Sequence, residues 1–106
     1  MSDEELNSIM MLIVNAGNAK SSAAEAIQAA KEGDFSFADQ KLKEANAAIV
    51  LAHHSQTEML TQEAQGKSSN ITLLTVHSQD HLMTAINFID LAKEIIDIRQ
   101  TISLEK

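Results

Sequence analysis

The sequence predicts an all-α protein folded as an antiparallel bundle of three helices. Proline is absent from its 106 residues, and the strong helix formers Ala, Glu, Lys, Gln and Leu are plentiful. Only three glycines occur, and Gly33 and Gly66 divide the chain into three segments of similar length. A helix of roughly 30 residues is about 45 Å long, and short connections between such helices make neighbours antiparallel.

Capping residues support the first two helices. Ser2 is followed three residues later by Glu5, the pattern of a capping box at the start of a helix. Gly33 is the type of residue expected just past a helix C-terminus, and Asp34 is a suitable N-cap for the second helix. Gly66 is likewise expected just past the C-terminus of the second helix. Residues 68–70 follow it and supply three candidate caps for a third helix starting near residue 70.

The first two segments carry apolar stripes at helical spacing. The stripe of the second segment consists of Phe35, Ala38, Leu42, Ala45, Ile49, Ala52, Gln56 and Met59. The looser stripe of the first consists of Leu6, Ile9, Ile13, Ala16, Ala23, Ile27 and Ala30. Gly17 lowers the stability of the first helix, so we expect another helix to approach it closely.

The third segment is apolar over most of its circumference. It contains 14 large apolar residues between positions 70 and 102, against 8 each in residues 2–32 and 34–65. One side holds Ile71, Leu82, Ile89 and Ile96, whereas Leu73, Val76, Leu91 and Ile98 lie well round the helix from them. Two partner helices cannot cover both sides. The segment therefore predicts an oligomer in which the third helices pack together around a symmetry axis.

Composition and charge exclude several classes of function. Fifteen acidic residues against eight basic ones give a net charge of −7 with a single arginine, which argues against nucleic-acid binding. The absence of cysteine excludes disulfides and thiolate metal sites and suits the cytoplasm. The N-terminus is acidic and no apolar run is long enough for a membrane span. We expect one cytoplasmic domain over residues 1–106, without membrane insertion.

Residues 77–81 form a polar cluster in the third segment that includes His77, Asp80 and His81. The two histidines are four residues apart and lie one turn apart on the same helix face. Asp80 is about 60° from His77 around the axis, on the stripe expected to face the oligomer. A carboxylate buried there needs a proton, a hydrogen bond or a cation. Residue types and spacing alone fit both a functional site and a structural polar contact.

The sequence gives little support to a second histidine site or to the common metal and phosphate motifs of enzymes. His53 and His54 are adjacent and therefore about 100° apart, so they cannot both face one site. His77 and His81 have the spacing of a zinc-protease helix, but no Glu follows the first histidine. The chain has no Glu-x-x-His pair for a di-iron bundle and no glycine-rich phosphate loop.

Residues 73–85, LLTVHSQDHLMTA, closely resemble the signature of the lactose/cellobiose-type enzyme IIA of the bacterial sugar phosphotransferase system. The resemblance continues through residues 16–19, 30–35 and 52–60 and covers nearly the whole chain in order. One departure is Ser78, where that family more usually has Ala.

The resemblance implies a homotrimer of three-helix subunits with the third helices around the three-fold axis. It implies that His77 accepts a phosphoryl group from the phosphocarrier HPr and passes it to a cysteine of enzyme IIB during sugar uptake. It also implies that three copies of Asp80 meet at the axis and bind a divalent cation, Mg²⁺. His81, one turn from His77, is the best candidate for an auxiliary residue, ahead of Gln79 and Ser78.

These expectations suit the chemistry of the residues, and they leave alternatives open. The imidazole of an ordinary histidine is largely neutral near pH 7 and is a competent nucleophile. A second hypothesis is a metal-binding helical protein or hydrolase that uses His77, His81 and Asp80. A third is a non-catalytic helical adaptor. The transported sugar, of the lactose, cellobiose or chitobiose class, does not follow from the sequence.

Overall fold

The computed structural model describes residues 2–67 and 71–105 and confirms the three helices. Helix α1 spans Asp3–Lys31, α2 spans Phe35–Ala64 and α3 spans Leu73–Leu104. They form an elongated bundle with extents of 58 × 20 × 17 Å. Within the described ranges every regular element is a helix, as the sequence predicts.

The predicted caps of the first two helices are confirmed. The Ser2 side chain accepts a hydrogen bond from the backbone N–H of Glu5 at 3.1 Å. Asp34 Oδ1 accepts one from the backbone N–H of Phe37 at the same distance. Between these helices Gly33 has φ +82°, a left-handed conformation that is unfavourable for other residues. This glycine ends α1 and lets α2 start at once in the opposite direction.

The cap of α3 is Thr72, whose hydroxyl accepts a hydrogen bond from the backbone N–H of Thr75 at 3.2 Å. The three candidate caps at residues 68–70 lie outside the described residues. Because α3 begins at Leu73, Ile71 precedes the helix and is 83% exposed. Its predicted place on the same side of α3 as Leu82 was therefore wrong.

The core consists of three layers, each with residues from all three helices. Starting from the end that carries the first turn of α3, the layers contain Leu12, Ala52 and Leu82; then Ala19, Ala45 and Ile89; and then Ala26, Ala38 and Ile96. Residue numbers rise along α1 and α3 and fall along α2, so α2 is antiparallel to both. Alanine fills most of the buried core positions, so the core consists largely of small side chains.

The predicted stripe of α2 is confirmed in full, since all eight of its residues are buried or half-buried. In α1 the stripe is confirmed except at Leu6, whose side chain is exposed. The core also includes α1 residues outside the predicted stripe, among them Leu12 and Ala19, which are fully buried. A pattern of small residues such as alanine shows the buried face of a helix less sharply than large apolar residues do.

The predicted close approach to Gly17 was wrong. Apart from its chain neighbours and the backbone of its own helix, a Cβ atom built on Gly17 would have no atom within 4 Å, and the residue lies in the middle of α1. Among the described residues, neither α2 nor α3 approaches Gly17 closely enough to explain the glycine.

Gly17→Ala is therefore expected to raise the free energy of unfolding by about 1 kcal/mol, because alanine restricts the unfolded chain and meets no obstacle. Urea unfolding followed by circular dichroism measures this change. A loss of stability would contradict the prediction and would place another chain against this part of α1.

Helix α3 has two apolar sides, as the sequence predicts. Leu82, Ile89 and Ile96 are buried in the core. On the other side the exposed fractions are 85% for Leu73, 46% for Val76, 63% for Leu91 and 56% for Ile98. We call these four residues the open stripe of α3. It is an apolar surface that the chain itself leaves uncovered.

No helix within residues 2–67 and 71–105 has the length and apolar character that a bilayer crossing requires.

Candidate functional site

His77 and His81 lie on successive turns near the start of α3 and contact each other directly. Their Nε2 atoms are 3.0 Å apart, the ring centroids are separated by 4.5 Å, and the ring planes are perpendicular. His77 is exposed, whereas His81 is half-buried. The spacing therefore brings the two imidazoles together as predicted, and only His81 is partly sheltered by the chain.

A hydrogen bond between two Nε2 atoms requires that one ring donates and the other accepts. When His81 donates, His77 carries its own proton on Nδ1 and its Nε2 lone pair faces His81. When His77 donates, its Nε2 holds the proton and is not nucleophilic. The first arrangement places a reactive nitrogen on the exposed ring and a donor 3.0 Å from it.

Ser78 is excluded as a donor to any group held on His77. Its side chain is fully buried, and its hydroxyl donates to the backbone carbonyl of Thr75 at 2.6 Å. The position therefore belongs to the core, where a small side chain fits and the hydroxyl is satisfied within its own helix. This explains how a serine can stand at a position where the resembling family usually has alanine.

Gln79 points away from the histidines and connects α3 to α2 through a hydrogen bond. Its Oε1 accepts a hydrogen bond from Gln56 Nε2 at 2.7 Å, and its own Nε2 lies 3.9 Å from the sulfur of Met59. The pairing explains why the polar Gln56 stands within the apolar stripe of α2. Of the three side chains considered as donors from the sequence, only His81 remains beside His77.

Asp80 lies on α3 beside the open stripe, and its side chain is exposed in the single chain. Its carboxylate is therefore solvated, and it needs a partner only where another copy covers that surface. Oxygen donors of this type suit Mg²⁺. Among the described residues no group of three His, Cys, Asp or Glu side chains could hold a metal ion. One chain alone therefore supplies at most part of such a site.

The other two histidines lie on α2 and are both exposed. His54 Nε2 lies 3.5 Å from Glu58 Oε1, one turn further along the helix. Neither His53 nor His54 takes part in the contact between His77 and His81.

The histidine pair lies on the surface of the bundle. A cleft of about 230 Å³ opens nearby between the start of α1, the end of α2 and the start of α3. Its lining includes Ile9, Met59 and Thr75 but neither His77 nor His81. An exposed imidazole outside this cleft is accessible to another macromolecule.

The fold and the site thus define a small three-helix protein with an accessible histidine pair near the start of its third helix. Residues 7–100 match the sequence profile of the family described as "PTS system, Lactose/Cellobiose specific IIA subunit". The lichenan-specific phosphotransferase enzyme IIA component of Bacillus subtilis (strain 168) is 44% identical over 106 residues, covering 100% of this chain and 96% of that protein.

Solved structures agree with the sequence match. The cellobiose-specific enzyme IIA from Bacillus anthracis superimposes with a TM-score of 0.95 at 42% identity, covering 100% of this chain and 97% of that chain. The IIA(Chitobiose) chain in its complex with HPr, from the Escherichia coli phosphotransferase system, gives a TM-score of 0.83 at 32% identity, with coverage of 96% and 99%.

The chain belongs to the lactose/cellobiose-specific IIA family of the sugar phosphotransferase system. It is therefore an enzyme IIA component of such a system.

Proposed function

We propose that the protein is a phosphohistidine carrier, which accepts a phosphoryl group from phospho-HPr on His77 and passes it to a cysteine of enzyme IIB during sugar uptake. The observation that carries the proposal is the exposed His77 ring with its Nε2 atom 3.0 Å from His81 Nε2. Family membership supports it, as does the solved complex of a related IIA chain with HPr.

In the forward step the lone pair of His77 Nε2 forms a bond to phosphorus. The bond between phosphorus and the donor atom of HPr breaks, and its electron pair stays on HPr. The proton of His77 is on Nδ1, so the attacking nitrogen does not need a base. In-line geometry and stabilisation of charge on the phosphoryl oxygens supply the catalysis.

His81 is the residue that stabilises the transferred group in this proposal. Its Nε2–H donates to His77 in the free protein and can turn to a phosphoryl oxygen once phosphorus occupies the His77 lone pair. A hydrogen bond to a charged acceptor contributes about 1.5–3 kcal/mol. The return step reverses the same contacts, with a thiolate of enzyme IIB as the attacking group.

We further propose that the protein is a homotrimer with the α3 helices around a three-fold axis. The open stripe of α3 supports this, because a protomer that exposes Leu73 and Leu91 gains by burying them. Three Asp80 carboxylates would then meet and repel one another. Mg²⁺ bound between them would neutralise that charge, so Asp80 is the proposed metal ligand of each subunit.

Asp80→Leu is expected to abolish the Mg²⁺ dependence of trimer stability and to make the trimer more stable by about 1 kcal/mol or more. The reason is that leucine continues the apolar stripe without needing a counter-ion. Thermal unfolding and sedimentation with Mg²⁺ or with a chelator measure both effects. Asp90→Leu is the matched control, since this residue lies on the same helix about 80° away from Asp80. A monomeric Asp80→Leu variant would contradict the proposed position of Asp80.

A proposed partner surface follows from charge and location. The carrier works in the cytoplasm between HPr and enzyme IIB, both of which must reach the His77 face. With a net charge of −7 per chain, basic surfaces on those partners would speed association.

The hydrolase alternative is not supported within one chain, because a catalytic zinc site uses three protein ligands and the described residues supply no such group.

Intact-mass analysis after incubation with phosphoenolpyruvate, enzyme I and HPr tests the carrier function. We expect one phosphoryl group per chain, and peptide mapping under alkaline conditions should place it on the peptide that contains His77. An unmodified chain in a mixture where HPr itself is phosphorylated would overturn the proposal.

A further inference from the structure

We infer that the His77–His81 pair is also a chelating site for zinc, which binds to the two Nε2 atoms. The key observation is the distance of 3.0 Å between those atoms. Two imidazole nitrogens at about 2.0–2.1 Å from one Zn²⁺ ion are about 2.8–3.0 Å apart at the octahedral angle and about 3.3–3.4 Å apart at the tetrahedral angle. The free protein therefore already holds both nitrogens at the spacing of two ligands on one ion.

The chemistry of the pair favours zinc over magnesium. Imidazole nitrogen suits Zn²⁺, whereas Mg²⁺ prefers oxygen ligands. Both rings become ligands when each carries its proton on Nδ1, so two neutral histidines bind the ion without losing a proton. Water occupies the remaining positions, since the described residues provide no third side chain for this ion. The site thus excludes Asp80 and is distinct from the magnesium site proposed at the three-fold axis.

Zinc at this site would regulate phosphoryl transfer, an inference that rests on the proposed function. The lone pair of His77 Nε2 can bind either the metal ion or the phosphorus atom. Zinc and the phosphoryl group therefore exclude each other, and zinc inhibits the carrier by occupying its nucleophile. The exposure of His77 gives the ion direct access from solvent.

Isothermal titration calorimetry with Zn²⁺ tests the site itself. The protein is used without an affinity tag and with excess Mg²⁺, so that carboxylate sites are occupied. We expect one Zn²⁺ per chain and at least a tenfold loss of affinity in His77→Gln and in His81→Gln. His53→Gln and His54→Gln are matched controls and should change the affinity less than twofold. Equal affinity in all four variants, or no binding to the native protein, would overturn the inference.

Transfer from purified phospho-HPr tests the regulation. For each protein the transfer rate is compared with and without Zn²⁺, so that any effect of the metal on HPr is common to all. Zinc should slow the native protein at least tenfold and His81→Gln less than twofold. Equal inhibition of both proteins would overturn the regulatory inference. If the native protein accepts no phosphoryl group without zinc, the proposed function fails, while calorimetry still decides the zinc site.

Discussion

His77→Gln is expected to abolish phosphoryl acceptance from phospho-HPr while leaving the fold intact. Glutamine is a good helix former of similar polarity, and the His77 side chain is exposed, so the substitution removes a nucleophile without opening the core. Intact-mass analysis should show no added phosphoryl group under conditions that fully modify the native chain. Circular dichroism should show unchanged helix content and thermal stability.

The other histidines supply the comparisons that make this result specific. His81→Leu should still accept the phosphoryl group, but about ten- to a hundredfold more slowly, because leucine has no donor and one hydrogen bond to a charged oxygen is lost. His53→Gln and His54→Gln should transfer at the native rate, since both lie on α2 outside the pair. Continued modification of His77→Gln at another histidine would disprove the assignment.

Leu82→Ala is expected to lower the free energy of unfolding by about 3 kcal/mol. Leu82 is fully buried beside Leu12, Ala16, Ala52 and Ala85, the last three of which are too small to fill the cavity it would leave. The closely packed helices also restrict collapse around it. Urea unfolding measures the loss.

Leu51→Ala is the matched control for Leu82→Ala, because it removes the same atoms from a side chain on α2 that is 56% exposed. The control should change stability by no more than about 0.5 kcal/mol. A similar loss in both variants would show that the layer around Leu82 is not the core of the bundle. Since Leu82 follows His81 directly, this layer also packs the turn of α3 that carries His81 against α1 and α2.

Much of the fold could be predicted because its signals are local. The caps Ser2 and Asp34 need only a side-chain oxygen three residues before a backbone N–H, and the structure shows both bonds. The stripe of α2 follows from the 3.6-residue helical period alone. The start of α3 was harder to predict from the sequence, because several polar residues precede it. Only the folded chain shows that Thr72 is the cap.

The candidate site could be predicted only in part. The four-residue spacing places His77 and His81 on one face, and the motif in residues 73–85 indicates the family that the comparisons then showed. The same pattern ranked His81 ahead of Ser78 and Gln79 as a donor but did not exclude the other two. That distinction depends on the rotation of α3 in the bundle, which turns Ser78 into the core and Gln79 toward α2.

By itself, then, the sequence determined the three helices, the buried face of α2 and the family to which the site belongs, because caps, period and motif are properties of neighbouring residues. Only the tertiary structure decided that Gly17 lies in open space, that Gln56 pairs with Gln79, and that the two Nε2 atoms stand 3.0 Å apart. These features depend on the orientation of each helix about its own axis in the bundle. That orientation is set by the packing of all the core side chains together.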